Sequence, residues 1–258
     1  MLRTFENTRP YAQPLAAIEV RGKPCALPPD FVQGLDFLRR FTVSHHEVLR
    51  WVYLVDGRLY AASNSMIIDY EIGSCELEDS AFLPLICRIL AGFYAPPDSV
   101  VIDYMTYVFT WDDGQELLVD CSNTAWRPVS SVGDRIKDMI AGTFKRHWSF
   151  GEVTHIDDET RESLKRSFDG RGNGDIFFDG QTAIYRNDTR TSEHLRPFPS
   201  NTEGLIRFDR KPFLAMLKVA TEIDFSASPL CFRHAHGRGM LVRRTLGRDV
   251  PTFGGEDG

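Results

Sequence analysis

Asp56-Gly57-Arg58-Leu59-Tyr60-Ala61-Ala62-Ser63-Asn64-Ser65-Met66-Ile67 is the stretch on which the fold turns. Asp-Gly between apolar runs is a strong signal for a two-residue hairpin, because both turn positions take positive φ. The runs on either side, Val48 to Leu59 and Tyr60 to Ile72, are rich in β-branched and aromatic residues, which suit a pleated, half-buried surface. The same punctuation recurs along the chain. Val100 to Thr110 and Glu116 to Cys121 flank Asp113-Gly114, and Asp175 to Phe178 and Gln181 to Arg186 flank Asp179-Gly180. Leu230 to Phe232 and Met240 to Val242 flank His236-Gly237.

Short helices separate these hairpins. Phe31, Leu35 and Leu38 give one apolar face to a helix from Asp30 to Arg40. Pro84 suits the first turn of a helix near Leu83 to Leu90, where a missing N–H costs nothing. Asp157 or Asp158 can cap a third, near Glu159 to Phe168, whose apolar face is Leu164 and Phe168. Asp209 is the expected cap of a fourth, from Arg210 to Ala220, with Phe213, Leu217 and Ala220 on one face. The order is helix, hairpin, helix, hairpin, and then the same again. Asp56-Gly57 to Asp179-Gly180 and Gly114 to Gly237 share one offset, 123, and Phe82 to Phe213 lies close to it at 131. A fixed period of this kind sets the architecture. The expected fold class is α+β, with two like domains over 1–145 and 146–258. The junction lies between Trp126 and Thr154 and contains Pro128, Gly133 and a helical piece at Asp134 to Phe144. The ends, to about Pro14 and from Gly254, are expected to be mobile.

Composition narrows the function. With 42% hydrophobic and 26% charged residues, the chain is neither disordered nor fibrous. The most apolar stretch, Ala81 to Pro97, is broken by Arg88, so no membrane span is expected, and the first residues lack the apolar core of a signal peptide. Five widely spaced cysteines without a CxxC motif read as reduced thiols in a cytoplasm. The net charge of −6 argues against a generally basic nucleic-acid surface, yet Arg207 to Arg248 carries nine basic residues against three acidic ones.

No constellation for catalysis stands out. P-loop, GxSxG, HExxH and GxGxxG patterns are missing from the sequence. His234-Ala235-His236 could chelate from one strand face, but no third ligand follows at a ligand's spacing, so a surface or turn placement is expected. His45-His46 reads as loop. Asp112-Asp113 and Asp157-Asp158 have turn and cap roles open to them. Gly170 to Gly174 follows a helix instead of opening one, so it lacks the helix N-terminus that attracts phosphate. Neither an enzyme nor a cofactor or metal site is expected.

In this arrangement the chain resembles the DNA polymerase sliding clamps. The opening stretch is similar to a bacterial clamp strand pair in which a Gly turn leads to an Ala-Thr-Asp-Gly-His-Arg-Leu run, although here the run reads Ala-Ala-Ser-Asn-Ser-Met-Ile. Leu117-Leu118-Val119-Asp120-Cys121 followed by Pro128 resembles the strand that ends each clamp domain. Phe208-Asp209-Arg210-Lys211-Pro212-Phe213-Leu214-Ala215-Met216-Leu217-Lys218 is similar to the strand-then-helix opening of clamp half-domains. The resemblance implies duplicated clamp domains, each with two helices packed on curved antiparallel sheet. It implies a ring around duplex DNA that tethers replication proteins. Six domains make such a ring, so two per chain imply a homotrimer.

The resemblance also implies site residues. Helices lining the hole would turn cations to DNA: Arg39, Arg40, Arg88, Arg161, Lys165, Arg166, Arg210, Lys211 and Lys218. Topological linkage needs only a weakly basic inner wall, which an acidic pI permits. Peptides of the polymerase and clamp loader would bind a groove lined by Ala62, Asn64, Met66, Ile67, Pro128, Val132, Leu241 and Val242. Two rival readings stand beside this one: a clamp-like module that binds protein and not DNA, and a metal-dependent hydrolase using His234 and His236.

Overall fold

The structure is a computed structural model that describes residues 20–103, 106–121, 133–168, 174–187, 193–198 and 200–247. The two chain ends, Pro128, Val132 and most of the Gly170 to Gly174 loop lie outside the described residues.

The first half runs β1 (Cys25–Ala26), α1 (Phe31–Leu38), β2 (Val52–Val55), β3 (Arg58–Ala62), β4 (Met66–Glu71), β5 (Ser80–Phe82), α2 (Pro84–Leu90), β6 (Ser99–Asp103), β7 (Thr106–Thr110) and β8 (Glu116–Asp120). A helical segment over 134–147 follows: α3 (Asp134–Lys137), a π-helical turn (Asp138–Gly142) and α4 (Thr143–His147). The second half runs β9 (Thr154–His155), α5 (Asp158–Ser167), β10 (Gly174–Phe178), β11 (Thr182–Asn187), β12 (Glu193–Pro197), β13 (Ile206–Asp209), α6 (Arg210–Leu217), β14 (Glu222–Asp224), β15 (Leu230–His234) and β16 (Gly237–Leu241).

The sheets repeat element for element. In the first half, strand orders β1-β6-β7-β8 and β5-β2-β3-β4 form; in the second, β9-β14-β15-β16 and β13-β10-β11-β12. Even the short first strands pair alike: Cys25 lies opposite Val100 in one half, and Thr154 opposite Ile223 in the other. The halves then join, because β4 pairs with β16 and the two inner sheets become one of eight strands.

Local chemistry explains the elements. Asp56 and Gly57 adopt φ of 48° and 73°, as a hairpin that follows strand twist requires. Phe31, Leu35 and Leu38 are fully buried on α1, and Pro84 opens α2. The Asp157 carboxylate accepts from the Thr160 amide at 2.7 Å and caps α5. Gly34 lets α1 sit tight on the sheet, since a Cβ there would lie 2.8 Å from Leu59 and 2.9 Å from Tyr70. Three expectations need correction. Asp209 stands at the N-terminus of α6 without capping it, because its carboxylate accepts instead from Arg244 at 2.6 Å. Phe213 is not the counterpart of Phe82. Phe82 ends β5 opposite Val52, and the matching place is Phe208, opposite Ile176. The run Val100 to Thr110 is two paired strands, β6 and β7, where one was expected.

Candidate functional site

The halves meet at a strand joint, and the helices of each half carry basic residues. The joint is built on β4 and β16, with Met66 opposite Leu241, Ile67 opposite Met240 and Ile68 opposite Gly239. Beyond this ladder stands Asp69, a fully buried carboxylate. It accepts from the Arg238 amide at 2.8 Å, Arg238 Nε at 3.1 Å and Arg58 Nε at 3.2 Å. The Arg238 guanidinium also lies over Phe144 and Trp148, at 5.0 and 5.1 Å from their centroids. One side chain of the second half thus grips a strand of the first and the connecting helical segment. The carboxylate is fully buried and gathers these three bonds, while the two guanidiniums stay 27% and 35% exposed and keep part of their hydration, which lessens the cost of burying the charge.

His234 completes the joint. Its Nε2 donates to the Asp69 carbonyl at 2.9 Å, and its ring stacks on Phe37 of α1 at 4.9 Å. The His236 amide donates to Nδ1, so the neutral ring carries its proton on Nε2. Burial lowers the basicity of His234 below its ordinary value. The expectation of a surface placement fails for His234, which packs between the halves. His236 does lie in the β15–β16 turn, stacked on Tyr70 at 4.8 Å. Among the described residues no group of three metal-ligating side chains gathers.

The residues expected in a peptide groove converge where they are described. Ala62, Asn64, Met66 and Ile67 form the β3–β4 hairpin, against which Leu241 pairs. Val242, 55% exposed, extends the pairing by donating to the Ser65 carbonyl at 2.8 Å. Met66 and Leu241 are buried, Ile67 is half-buried and Asn64 is exposed at the tip.

The basic residues of the helices divide. Arg40, Arg88, Arg166, Lys211 and Lys218 are exposed. Arg39 and Arg40 bind Asp36 at 2.6 and 2.9 Å, and Lys165 binds Glu162 at 2.6 Å. Two candidates are corrected. Arg161 donates to the carbonyls of Leu217 at 3.1 Å and Ala220 at 2.9 Å, tying α5 to the end of α6. Arg210 is only 8% exposed and donates to the Phe168 carbonyl at 2.5 Å. Both guanidiniums serve the packing of the second half, and Arg210 is too buried to meet a duplex.

The Helicobacter pylori beta clamp bound to DNA ligase peptide matches with a TM-score of 0.61 at 14% identity, over 89% of this chain and 68% of that one. The C. crescentus beta sliding clamp matches at 0.66 and 13%, over 91% and 69%. The DNA polymerase III beta subunit from Thermotoga maritima matches at 0.61 and 16%, over 92% and 69%. This chain has the sliding-clamp fold. It is α+β, with duplicated clamp domains, and it spans about two thirds of each clamp it matches. No protein-family model matches it, and no curated protein does.

Sequence reading missed Asp69, Arg238 and His234 as the makers of the joint. A signal existed: Asp69 is a lone carboxylate inside the apolar strand run Met66-Ile67-Ile68-Asp69-Tyr70. No described helix is long and apolar enough to cross a membrane.

Proposed function

We propose that this clamp-fold chain is a DNA polymerase processivity factor: a ring that encircles duplex DNA in the cytoplasm, tethers replication proteins and performs no chemistry. The observation that supports it best is the β4–β16 joint. Two halves of like connectivity meet there edge to edge, and among the described residues each keeps one open edge, β8 in the first and β12 in the second. In its own half β8 holds the place that β16 holds, and β12 the place of β4. The described halves therefore carry on their outer strands the same two surfaces that they join internally. Head-to-tail contact between copies satisfies both edges and closes cyclically. With a boundary between 1–145 and 146–258, three chains supply six domains.

DNA would face the helix layer, with Arg39, Arg40, Arg88, Lys165, Arg166, Lys211 and Lys218 as the cations. Partner peptides, such as those of a polymerase or a clamp loader, would dock on Ala62, Asn64, Met66, Ile67, Leu241 and Val242, with Pro128 and Val132 from the junction. The H. pylori clamp bound to a DNA ligase peptide is the precedent for that role.

Light scattering on the eluting protein is expected to give a trimer, and a strict monomer at micromolar concentration overturns the ring. Protein loaded on nicked circular DNA is expected to be retained through a salt wash and released by linearisation. A second reading, a module that binds protein alone, draws on the pairing of Arg39, Arg40 and Lys165 with Asp36 and Glu162. A trimer that binds peptide but is never retained on circular DNA would favour it.

A further inference from the structure

We infer that the subunit joint of the ring pairs β8 of one copy with β12 of the next in one register, Leu117 opposite His194 and Leu118 opposite Glu193. This rests on the ring reading above and adds which residues meet. The edge itself calls for cover. Leu118 is 44% exposed, and Leu117 and Val119 are half-buried on a strand whose outer side pairs with no other strand among the described residues. An apolar open edge is a hazard unless another chain pairs with it.

The register follows from the internal repeat. Val100 lies opposite Phe109, and Ile223 opposite Phe232, so Phe109 and Phe232 hold matching places. Both rings are fully buried. Across the next hairpin, Phe109 faces Leu117 and Phe232 faces Gly239. Leu117 is thus the counterpart of Gly239. On the other edge, Val52 faces Phe82 and Ile176 faces Phe208, each Phe two residues ahead of its helix. Two residues on, Leu54 faces Leu59 and Phe178 faces Ala183. Two further along the partner strands, Ala61 faces Ile68 and Tyr185 faces His194. His194 is thus the counterpart of Ile68. Within the chain Gly239 lies opposite Ile68. Between chains the same joint sets Leu117 opposite His194.

The register carries a difference between the two joints. Inside the chain, Arg238 and Asp69 hold the position after Gly239 and Ile68, and they form the buried ion pair. Between chains that position belongs to Glu116 and Leu195. The joint within a subunit is locked by charge, and the joint between subunits lacks that lock.

Interchain disulfide formation tests this. The bonds from Glu71 N to His236 O and from Val242 N to Ser65 O make Gly239 and Ile68 a non-hydrogen-bonded pair. Cα atoms at such a pair stand about 4.5 Å apart, within reach of a disulfide. Under mild oxidation, Leu117→Cys with His194→Cys is expected to convert most chains to covalent species of two and three chains. Leu118→Cys with His194→Cys is slipped by one residue, so its side chains fall on opposite faces and it should stay at background. Each single variant sets that background, because Cys121 lies next to β8. Leu118→Cys with Glu193→Cys is a second in-register pair if the first double variant folds poorly. A trimer by light scattering in which in-register pairs stay at background, or in which the slipped pair links equally well, overturns the register and leaves the ring standing. A monomer removes both.

Discussion

A carboxylate buried between two guanidiniums cannot lose one of them without leaving charge uncompensated. Asp69 is in that position, between Arg58 and Arg238. Replacing one partner of a buried pair typically costs about 3–5 kcal/mol. Arg238→Met strands part of that buried carboxylate charge and is therefore expected to lower unfolding stability by up to that order in denaturant titration, and Asp69→Asn made with it should recover part of the loss. His234 adds a pH dependence. Burial holds its folded-state basicity below the ordinary value, so the unfolded chain takes up the proton first. Its contribution is whole above about pH 6.5 and is lost as pH falls through the folded value. Stability measured across that window should fall less steeply in His234→Gln. Asp224 works in the acid range. Burial alone would raise its pKa, but bonds from Ser226, the Gly151 amide and Asn201 hold it below the usual carboxylate value. Its stabilisation is present above about pH 4 and is lost as the pH drops below that.

At the scale of the element, close approach is what matters. The Cβ of Gly34→Ala would meet Leu59 and Tyr70 below 3 Å, forcing α1 off the sheet. Overpacking of this kind costs about 1–3 kcal/mol, more than the gain in helix propensity, so a lowered melting temperature is expected. The hairpins were legible because their cause is local: Asp-Gly must turn, whatever lies far away. The α1 face and the Pro84 start were legible for the same reason. What the sequence could not display is contact at long range. Arg161 and Arg210 look like any surface cations on a helix. The meeting of α5 with the end of α6 turns the first onto carbonyls, and the Phe168 carbonyl and the Tyr185 ring hold the second in the interior. Asp209 reads as a cap because the nearness of Arg244 is not written locally. The proposed groove set rests on resemblance, and that Met66 and Leu241 meet at all was not legible locally, since their pairing spans most of the chain.

For the whole molecule, the charge pattern bears on how DNA would be held. Because the proposed ring would need no tight phosphate grip, replacing Lys211 and Lys218 with Ala should shorten retention on nicked circles while leaving the proposed trimer intact in light scattering. Loss of that assembly instead would mean that these lysines serve subunit contact.

The eight-stranded sheet has one more implication. Backbone pairing, the Asp69 lock and the stack of Arg238 on Phe144 hold the halves together independently of the peptide bond between them. Two separately translated fragments, cut near 145, should find one another and copurify as a single arc, which would make the covalent link a convenience of synthesis and the sheet the true hinge pin.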